Sequence, residues 1–125
     1  PGRALVAESM TLATRVRAVR DCEHVFLNDG IYGALAELAL IGAIDRVAVL
    51  SPDGRRRFGA GVERIVFGPT CDSMDRLPGT ISLPADVAED DYVLFHGLGA
   101  YSTATCTRFN GFGDLGIATA LSLAA

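Results

Sequence analysis

TLATRVRAVR, residues 11–20, carries the clearest two-residue periodicity in the chain. One set of alternate positions consists of Leu12, Thr14, Val16, Ala18 and Arg20, and the other of Thr11, Ala13, Arg15, Arg17 and Val19. Successive side chains of a strand point to opposite faces of a sheet. The alternation therefore predicts a β-strand with one solvated face.

Short apolar runs on the C-terminal side of this strand predict more strands. These runs are Val25–Leu27, Arg46–Leu50, Val62–Phe67, Tyr92–Leu98 and Ile117–Leu123, with a short extended piece from Pro78 to Pro84. Turn residues such as Asn28-Asp29-Gly30 and Pro52-Asp53-Gly54 separate the runs. Only Ala34–Leu40 favours helix, as one or two turns. Since the long helices of an α/β fold are missing, the sequence predicts a mainly β domain, a closed or nearly closed antiparallel β-structure.

Size and charge narrow the class of protein. The chain has 125 residues, 50% hydrophobic and 21% charged, which fits one globular domain. A net charge of −4 argues against a partner among the nucleic acids. The basic triplet Arg55-Arg56-Arg57 follows a turn, which favours a solvated hairpin loop. No apolar run is long enough to predict a membrane span, and no signal peptide is visible.

Cysteine and lysine usage adds two expectations. Cys22, Cys71 and Cys106 are widely spaced and form no CxxC pair, so we expect no metal site, and free thiols in a reducing cytoplasm. All 11 basic residues are arginine, so the chain cannot attach a carbonyl cofactor through a lysine amine. The chain opens at Pro1 without a methionine, which suggests a piece of a longer protein.

Polar motifs beside the predicted strands are the candidates for chemistry. Cys71 and Asp72 follow Gly68-Pro69-Thr70 and set a thiol beside a carboxylate, a pair that can act in proton transfer. The alternative is a turn in which Asp72 or Asp75 caps a short helix. Gly97–Tyr101 brings a phenol to a glycine-rich bend, where the backbone can approach another group closely.

Three further motifs have ordinary structural interpretations. Asn28–Gly33 is typical of a turn with a packed tyrosine, and Phe109–Phe112 of an aromatic pair that joins the core around a turn. Gly111–Gly116 satisfies G-x-G-x-x-G, the pattern of dinucleotide-binding loops. It opens no helix of a βαβ unit, so pyrophosphate binding is not assigned to it.

Three of these motifs, in this order, resemble one known family. Gly68–Asp75, Gly99–Tyr101 and Phe109–Phe112 are similar to segments of the ornithine/diaminopimelate/arginine decarboxylases with an alanine-racemase-like barrel. The resemblance runs from Pro1 to about Phe112. It implies that residues 1–125 are a C-terminal β-domain of Greek-key type, a barrel or sandwich. The N-terminal TIM-like barrel, which carries the cofactor lysine, is absent from this chain.

The resemblance also implies a cofactor and a partner. Members of the family use pyridoxal phosphate, and they form head-to-tail homodimers with active sites at the subunit interface. Pro1-Gly2-Arg3 matches a segment in which the glycine amide and the arginine bind the cofactor phosphate. Tyr101 matches a tyrosine that hydrogen-bonds the same phosphate. Gly2, Arg3 and Tyr101 are therefore the expected cofactor-binding residues.

The substrate side of the site is implied in the same way. Cys71 matches a thiol that enters the partner subunit's site and protonates the product carbon, which makes it the expected catalytic residue. Asp72 matches the carboxylate that faces the distal cation of the amino-acid substrate. Phe109 matches an aromatic residue that lines the site, and Tyr32 an interface tyrosine.

The residue after the cysteine distinguishes the branches of the family, and the stretch after the Asn-Asp-Gly motif differs from the family pattern. Cys71-Asp72 is similar to the ornithine, lysine or arginine branch, whereas diaminopimelate decarboxylases usually have Cys-Glu-Ser. In ornithine decarboxylases a second acid follows the Asn-Asp-Gly motif and anchors the distal amine. The corresponding stretch is Leu40–Ala43, with Ile41 in place of the acid and Asp45 as the nearest carboxylate. The sequence therefore predicts a basic amino acid such as ornithine or lysine without fixing which one.

Two hypotheses for function follow. In the first, the chain is part of a decarboxylase that converts a basic amino acid to the diamine and CO₂, and it is inactive alone because it has no lysine. In the second, it is a non-catalytic regulatory or dimerisation homologue, which the missing lysine and the lost second acid would fit. A free-standing β-barrel unrelated to the family would require the set of motifs to be accidental.

Overall fold

Six strands and a few single helical turns make up the computed structural model, which describes residues 1–42 and 46–120. The strands are β1 (Leu12–Arg20), β2 (His24–Leu27), β3 (Val47–Leu50), β4 (Gly61–Phe67), β5 (Ile81–Pro84) and β6 (Tyr92–Phe95). The α-helices are α1 (Gly2–Val6), α2 (Leu38–Ile41) and α3 (Ser102–Thr105), and two 3₁₀ turns lie at Ala7–Ser9 and Phe109–Gly111. The mainly β prediction is confirmed. None of the helices in the described ranges is long and apolar enough to cross a membrane.

The strands form one sheet in the order β3-β6-β1-β2-β4-β5, and the two edge strands also contact each other. The result is the nearly closed barrel that the sequence predicts. The prediction of purely antiparallel pairing is wrong, because β2 and β4 run parallel, with Val25 opposite Val66. A parallel pair needs a crossover connection, and here residues 28–60 supply it, including α2 and β3.

Strand β1 follows the predicted alternation only as far as Val16. Thr14 and Val16 are fully buried, but a bulge between Val16 and Ala18 shifts the register against β2. Beyond the bulge Val19 packs against the core, while Arg20 is exposed. A bulge inserts one residue into one strand, and this reverses which side chains face inward. The predicted two-residue alternation is therefore present from Leu12 to Val16 and is broken at the bulge.

The core lies inside the barrel and contains side chains from every strand. Fourteen buried residues form it, namely Val16, Val25, Leu27, Leu35, Leu38, Val49, Val66, Leu77, Ile81, Leu83, Val87, Val93, Phe95 and Leu98. Each buried aliphatic or aromatic side chain contributes about 1.5–3 kcal/mol relative to an exposed one. This core fixes the strand ends from which the loops of the site emerge.

Three local expectations need correction. The strand that begins at Tyr92 ends at Phe95, short of Leu98. Residues 117–120 form no strand, and the rest of the predicted Ile117–Leu123 strand lies outside the described residues. Arg57 is not a solvated loop residue, because its guanidinium binds the buried carboxylate of Asp91 at 2.9 and 3.0 Å. A buried carboxylate requires such a partner.

Candidate functional site

The loop of residues 68–75, called the thiol loop below, follows β4 and is anchored by Asp75. This carboxylate is 1% exposed. It accepts hydrogen bonds from the backbone N–H of Ile31 (3.1 Å), from the N–H of Thr70 (3.1 Å) and from the Thr70 hydroxyl (2.6 Å). Asp75 therefore joins the thiol loop to the loop after β2. The alternative that it caps a short helix is wrong, since residues 68–76 contain none.

Two glycines make room for the anchoring carboxylate. A Cβ atom at Gly30 or at Gly68 would overlap an oxygen of Asp75. Any side chain at these positions would displace the carboxylate from its three donors. The Gly residues of the Asn28–Gly33 and Gly68–Asp75 motifs thus have a packing role in this structure.

Cys71 and Asp72 lie at the exposed end of the thiol loop. Cys71 is exposed and adopts a left-handed backbone conformation, with φ of 63°. One carboxylate oxygen of Asp72 accepts the N–H of Met74 at 2.8 Å, and the Tyr32 phenol lies within hydrogen-bonding reach of the same carboxylate. Both side chains line an open groove of about 570 Å³, together with Arg17, Phe67 and Phe112 among others. The thiol and the carboxylate are accessible, as a role in a site requires.

An aromatic pair stands next to the thiol loop. The rings of Tyr32 and Phe109 lie 4.5 Å apart between centroids. Two contacts fix the segment that carries Phe109: the Thr107 N–H donates to the Tyr32 carbonyl at 2.9 Å, and the Asn110 side-chain amide donates to the Thr70 carbonyl at 2.9 Å. Burial, followed by hydrogen bonding to Asp72, raises the pKa of the Tyr32 phenol. The structure thus brings Phe109 and Tyr32 to the same region as Cys71 and Asp72.

A second group of polar side chains, called the arginine cluster below, consists of Arg3, Glu37 and Tyr101. The Arg3 guanidinium lies 5.3 Å from the centre of the Tyr101 ring and donates from Nη2 to Glu37 Oε2 at 2.6 Å. Tyr101 is 60% exposed, and its φ of 66° is left-handed. The Gly99 N–H donates to the Ala7 carbonyl at 3.0 Å, and this contact holds the loop that precedes Tyr101 against the start of the chain.

Arg3 and Tyr101 form an arrangement that fits a phosphate group. Phosphate is bound in proteins by charge-assisted hydrogen bonds from arginine and by hydroxyl donors. Here a guanidinium lies over the ring of an exposed tyrosine, and nothing comes within 4 Å of a Cβ built at Gly2. The predicted cofactor-binding residues could therefore hold the phosphate of a cofactor such as pyridoxal phosphate.

The two groups are separate within one chain. Among the described residues, no hydrogen bond, ion pair or ring contact joins Arg3 or Tyr101 to Cys71 or Asp72. The segment after β2 reaches both groups, because Tyr32 borders the thiol loop whereas Glu37 binds Arg3. One chain thus presents two separate groups of polar side chains.

Some residues of these groups were missed from the sequence. For Asp75 the sequence pattern indicates a helix cap, and it gives no sign of an anchor for the loop. Thr70 and Asn110 lie inside the Gly68–Asp75 and Phe109–Phe112 motifs, but nothing in the sequence indicates their contacts. Glu37 gave no signal beyond the helical composition of its segment, because its partner Arg3 is distant in the chain.

The position of the expected second acid is only partly described. Leu40 and Ile41 are exposed on α2, 81% and 51% respectively, and offer no carboxylate. Ala43 and Asp45 lie outside the described residues. Within the described residues, this stretch therefore supplies no second acid, and the identity of the basic substrate stays open.

Comparison with known proteins identifies the family. Residues 5–99 match the family model described as pyridoxal-dependent decarboxylase, C-terminal sheet domain. Ornithine decarboxylase of Schizosaccharomyces pombe is 37% identical over 122 residues, which cover 90% of this chain and 28% of that protein. Antizyme inhibitor 2 of Xenopus laevis is 31% identical over 130 residues, covering 90% of this chain and 27% of that protein.

A solved structure agrees with the sequence matches. The crystal structure of the arginine decarboxylase of Paramecium bursaria Chlorella virus superposes with a TM-score of 0.76 at 30% identity, covering 91% of this chain and 31% of that chain. The chain thus spans less than a third of the length of these proteins. By both sequence and fold, the chain belongs to the C-terminal sheet domain family of the pyridoxal-dependent decarboxylases.

Proposed function

We propose that the chain is the C-terminal β-domain of a pyridoxal-phosphate decarboxylase that converts a basic L-amino acid to an amine and CO₂. The observation that carries this proposal is the exposed Cys71 thiol beside the half-buried Asp72 carboxylate in an open groove, on a loop anchored by the buried Asp75. Membership of the decarboxylase family supports the reaction class. The lysine that binds the cofactor comes from outside these 125 residues, which contain none.

The arginine cluster supplies the cofactor contact. Arg3 and Tyr101 bind the phosphate through a guanidinium and a phenol, and the open space at Gly2 lets the backbone approach it. Pyridoxal phosphate, when bound, supplies an electron sink for the carbon that loses CO₂. The contribution of this domain is to fix the position of the cofactor through its phosphate.

Cys71 and Asp72 act on the substrate. The Cys71 thiol donates the proton that replaces the departing CO₂ on the α-carbon. The Asp72 carboxylate binds the distal cation of the substrate, and partial burial strengthens this attraction over that in bulk water. Phe109 lines the apolar side of the substrate, next to Tyr32.

The separation of the two partial sites supports a homodimer. Cys71 and Asp72 of one copy complete the site whose phosphate is held by Arg3 and Tyr101 of the other. Each copy thus contributes to both sites, as expected for a two-fold symmetric pair in which the same surfaces meet twice. An N-terminal barrel domain of the same protein is the remaining partner.

The test is decarboxylation by the complete gene product that carries this chain, with ornithine, lysine, arginine and diaminopimelate as substrates. We expect CO₂ release from at least one basic amino acid. Replacing Cys71 by Ala should lower kcat by about 100-fold or more, because a positioned proton donor contributes that much. Cys22→Ala is the matched control, since Cys22 is also an exposed thiol. No turnover of any substrate, or equal activity of the two variants, would reject the assignment.

Asp72→Asn separates recognition from chemistry. It removes the charge that binds the distal cation, so KM for the basic substrate should rise far more than kcat falls.

Subunit sharing has its own test. Inactive Cys71→Ala and Arg3→Ala proteins, mixed at equal amounts, should regain about a quarter of wild-type activity, because half of all dimers become heterodimers and each heterodimer carries one intact site of two. No recovery after subunit exchange would contradict the shared site.

A second candidate function is a non-catalytic regulatory homologue. The similarity to a protein named antizyme inhibitor 2 and the apolar Ile41 favour it. The presence of both Cys71 and Asp72 argues against it, because a protein without catalysis does not require the pair. A complete gene product without a cofactor lysine would favour this candidate.

A further inference from the structure

Glu37 is a nearly buried carboxylate whose hydrogen-bond partner belongs to the arginine cluster. Its side chain is 8% exposed, and Oε2 accepts a hydrogen bond of 2.6 Å from Nη2 of Arg3. Glu37 also starts α2, and its carbonyl accepts the N–H groups of Leu40 and Ile41 at 3.0 Å each. The carboxylate therefore projects from a fixed backbone position.

The ion pair uses only part of the guanidinium. Arginine carries five N–H donors in a planar fork, and Glu37 engages one nitrogen of it. Nε and Nη1 of Arg3 have no other hydrogen bond within the described parts of the chain, and the side chain as a whole is 42% exposed. An edge of the fork is thus free for a second acceptor while Glu37 and the Tyr101 ring hold the rest of the group.

We propose that Glu37 is a positioning residue that orients Arg3 toward the cofactor phosphate. This inference rests on the proposed role of Arg3 and goes one step further along the same site. A free arginine side chain has many rotamers, and ordering them on binding costs conformational entropy. The bond to Glu37 restricts Arg3 before the phosphate arrives, so less ordering is left for the binding step.

Burial decides that Glu37 acts through Arg3 and not directly on a ligand. With so little of its side chain exposed, the carboxylate is poorly accessible to the cation of a substrate. If Glu37 acted only through its charge, its loss would strengthen phosphate binding, because a carboxylate repels a phosphate. That repulsion is screened by water and salt at the exposed edge of the guanidinium. Loss of Glu37 should therefore weaken phosphate binding.

The experiment compares pyridoxal phosphate with pyridoxal, which lacks the phosphate. The quantity measured is the dissociation constant of pyridoxal divided by that of pyridoxal phosphate, in the cofactor-free complete gene product. A higher ratio means a stronger preference for the phosphate. Inorganic phosphate serves as a competitor. Glu37→Leu keeps the volume but removes the acceptor, and it should lower the preference for pyridoxal phosphate about tenfold, which corresponds to about 1.4 kcal/mol. Glu37→Gln keeps an acceptor for Nη2 and should stay within about threefold of the wild type.

Three controls make the result decisive. Glu63→Leu removes the same charge from exposed β4, where the Glu63 carboxylate binds the Thr80 hydroxyl, and should leave the ratio unchanged. Arg3→Ala should lower the ratio at least as much as Glu37→Leu. Adding Glu37→Leu to Arg3→Ala should cause no further loss, because a positioning residue has nothing left to position.

The outcomes distinguish this inference from the function on which it rests. If Arg3→Ala leaves the ratio unchanged, the phosphate role of Arg3 fails and Glu37 loses its role with it. If Arg3→Ala lowers the ratio but Glu37→Leu does not, only the positioning role is overturned. Equal weakening of both ligands by Glu37→Leu would also overturn it, as would a further loss in the double variant. If Glu37→Leu does not fold, Glu37→Met, which also lacks the acceptor, takes its place: a loss of preference of about tenfold supports the inference, and an unchanged preference overturns it.

Discussion

The thiol loop and the arginine cluster are held in place by different means. In the thiol loop, the buried Asp75 accepts two backbone N–H groups and one hydroxyl, so the main chain itself is fixed below Cys71. In the arginine cluster, Arg3 is fixed by its own side chain, through one ion pair and one ring contact. Damage to the first anchor should therefore appear in stability, and damage to the second in ligand binding.

Asp75→Ala should have the largest effect on stability. A small effect would contradict the difference drawn between the thiol loop and the arginine cluster. It leaves three donors in a buried region without an acceptor, and each such donor costs about 1–3 kcal/mol. We expect the free energy of unfolding to fall by about 3–5 kcal/mol, measured by urea denaturation. Asp114→Ala is the control, because its carboxylate is exposed and pairs with the exposed Arg108. A loss below about 1 kcal/mol in Asp75→Ala would mean that Asp75 does not anchor the loop.

Gly99→Ala should have an intermediate effect and disturb the arginine cluster through its backbone. A Cβ at Gly99 would overlap the carbonyl oxygen of Val6, so the loop before Tyr101 must move away from α1. We expect a loss of about 1–3 kcal/mol in stability together with a lower preference for pyridoxal phosphate over pyridoxal. Gly116→Ala meets no atom within 4 Å and should change neither quantity. Unchanged cofactor preference in a destabilised Gly99→Ala protein would separate Tyr101 from phosphate binding.

The smallest expected effect concerns the pKa of Tyr32, which borders the thiol loop. Burial and the hydrogen bond to Asp72 raise the pKa of Tyr32 above its ordinary value of 10.0. In an absorbance titration of the three tyrosines, one should therefore ionise later than a free phenol. Asp72→Asn removes the neighbouring negative charge and should lower that late pKa. Tyr32→Phe should abolish the late step. A late step that survives Tyr32→Phe would contradict the contact.

The barrel could be predicted from local patterns, whereas strand pairing could not. The alternation in Leu12–Val16 and the turn residues after Leu27 are properties of neighbouring residues, so they are readable in the sequence. The parallel pairing of β2 and β4 depends on a crossover of residues 28–60, whose path has no local signature. The bulge after Val16 likewise depends on pairing with the partner strand, and this is why the alternation in the sequence does not reveal where it breaks.

The candidate site shows the same division. Cys71 and Asp72 were recognised as a motif, and their accessibility is consistent with that interpretation. Their roles, and those of Arg3 and Tyr101, stay predictions until binding is measured. Glu37 could not be found, because an ion pair between residues far apart in the chain depends on the complete fold.

The parallel pair has a practical consequence for the design of chimeric enzymes. Because β2 and β4 run in the same direction, the connections that leave them emerge from the same end of the barrel. Gly30 and Gly68 then meet at one carboxylate, so residues 28–33 and 68–75 behave as a single module in two pieces. A graft that transfers one piece from a relative without the other would separate the Asp75 carboxylate from the backbone that is shaped to receive it.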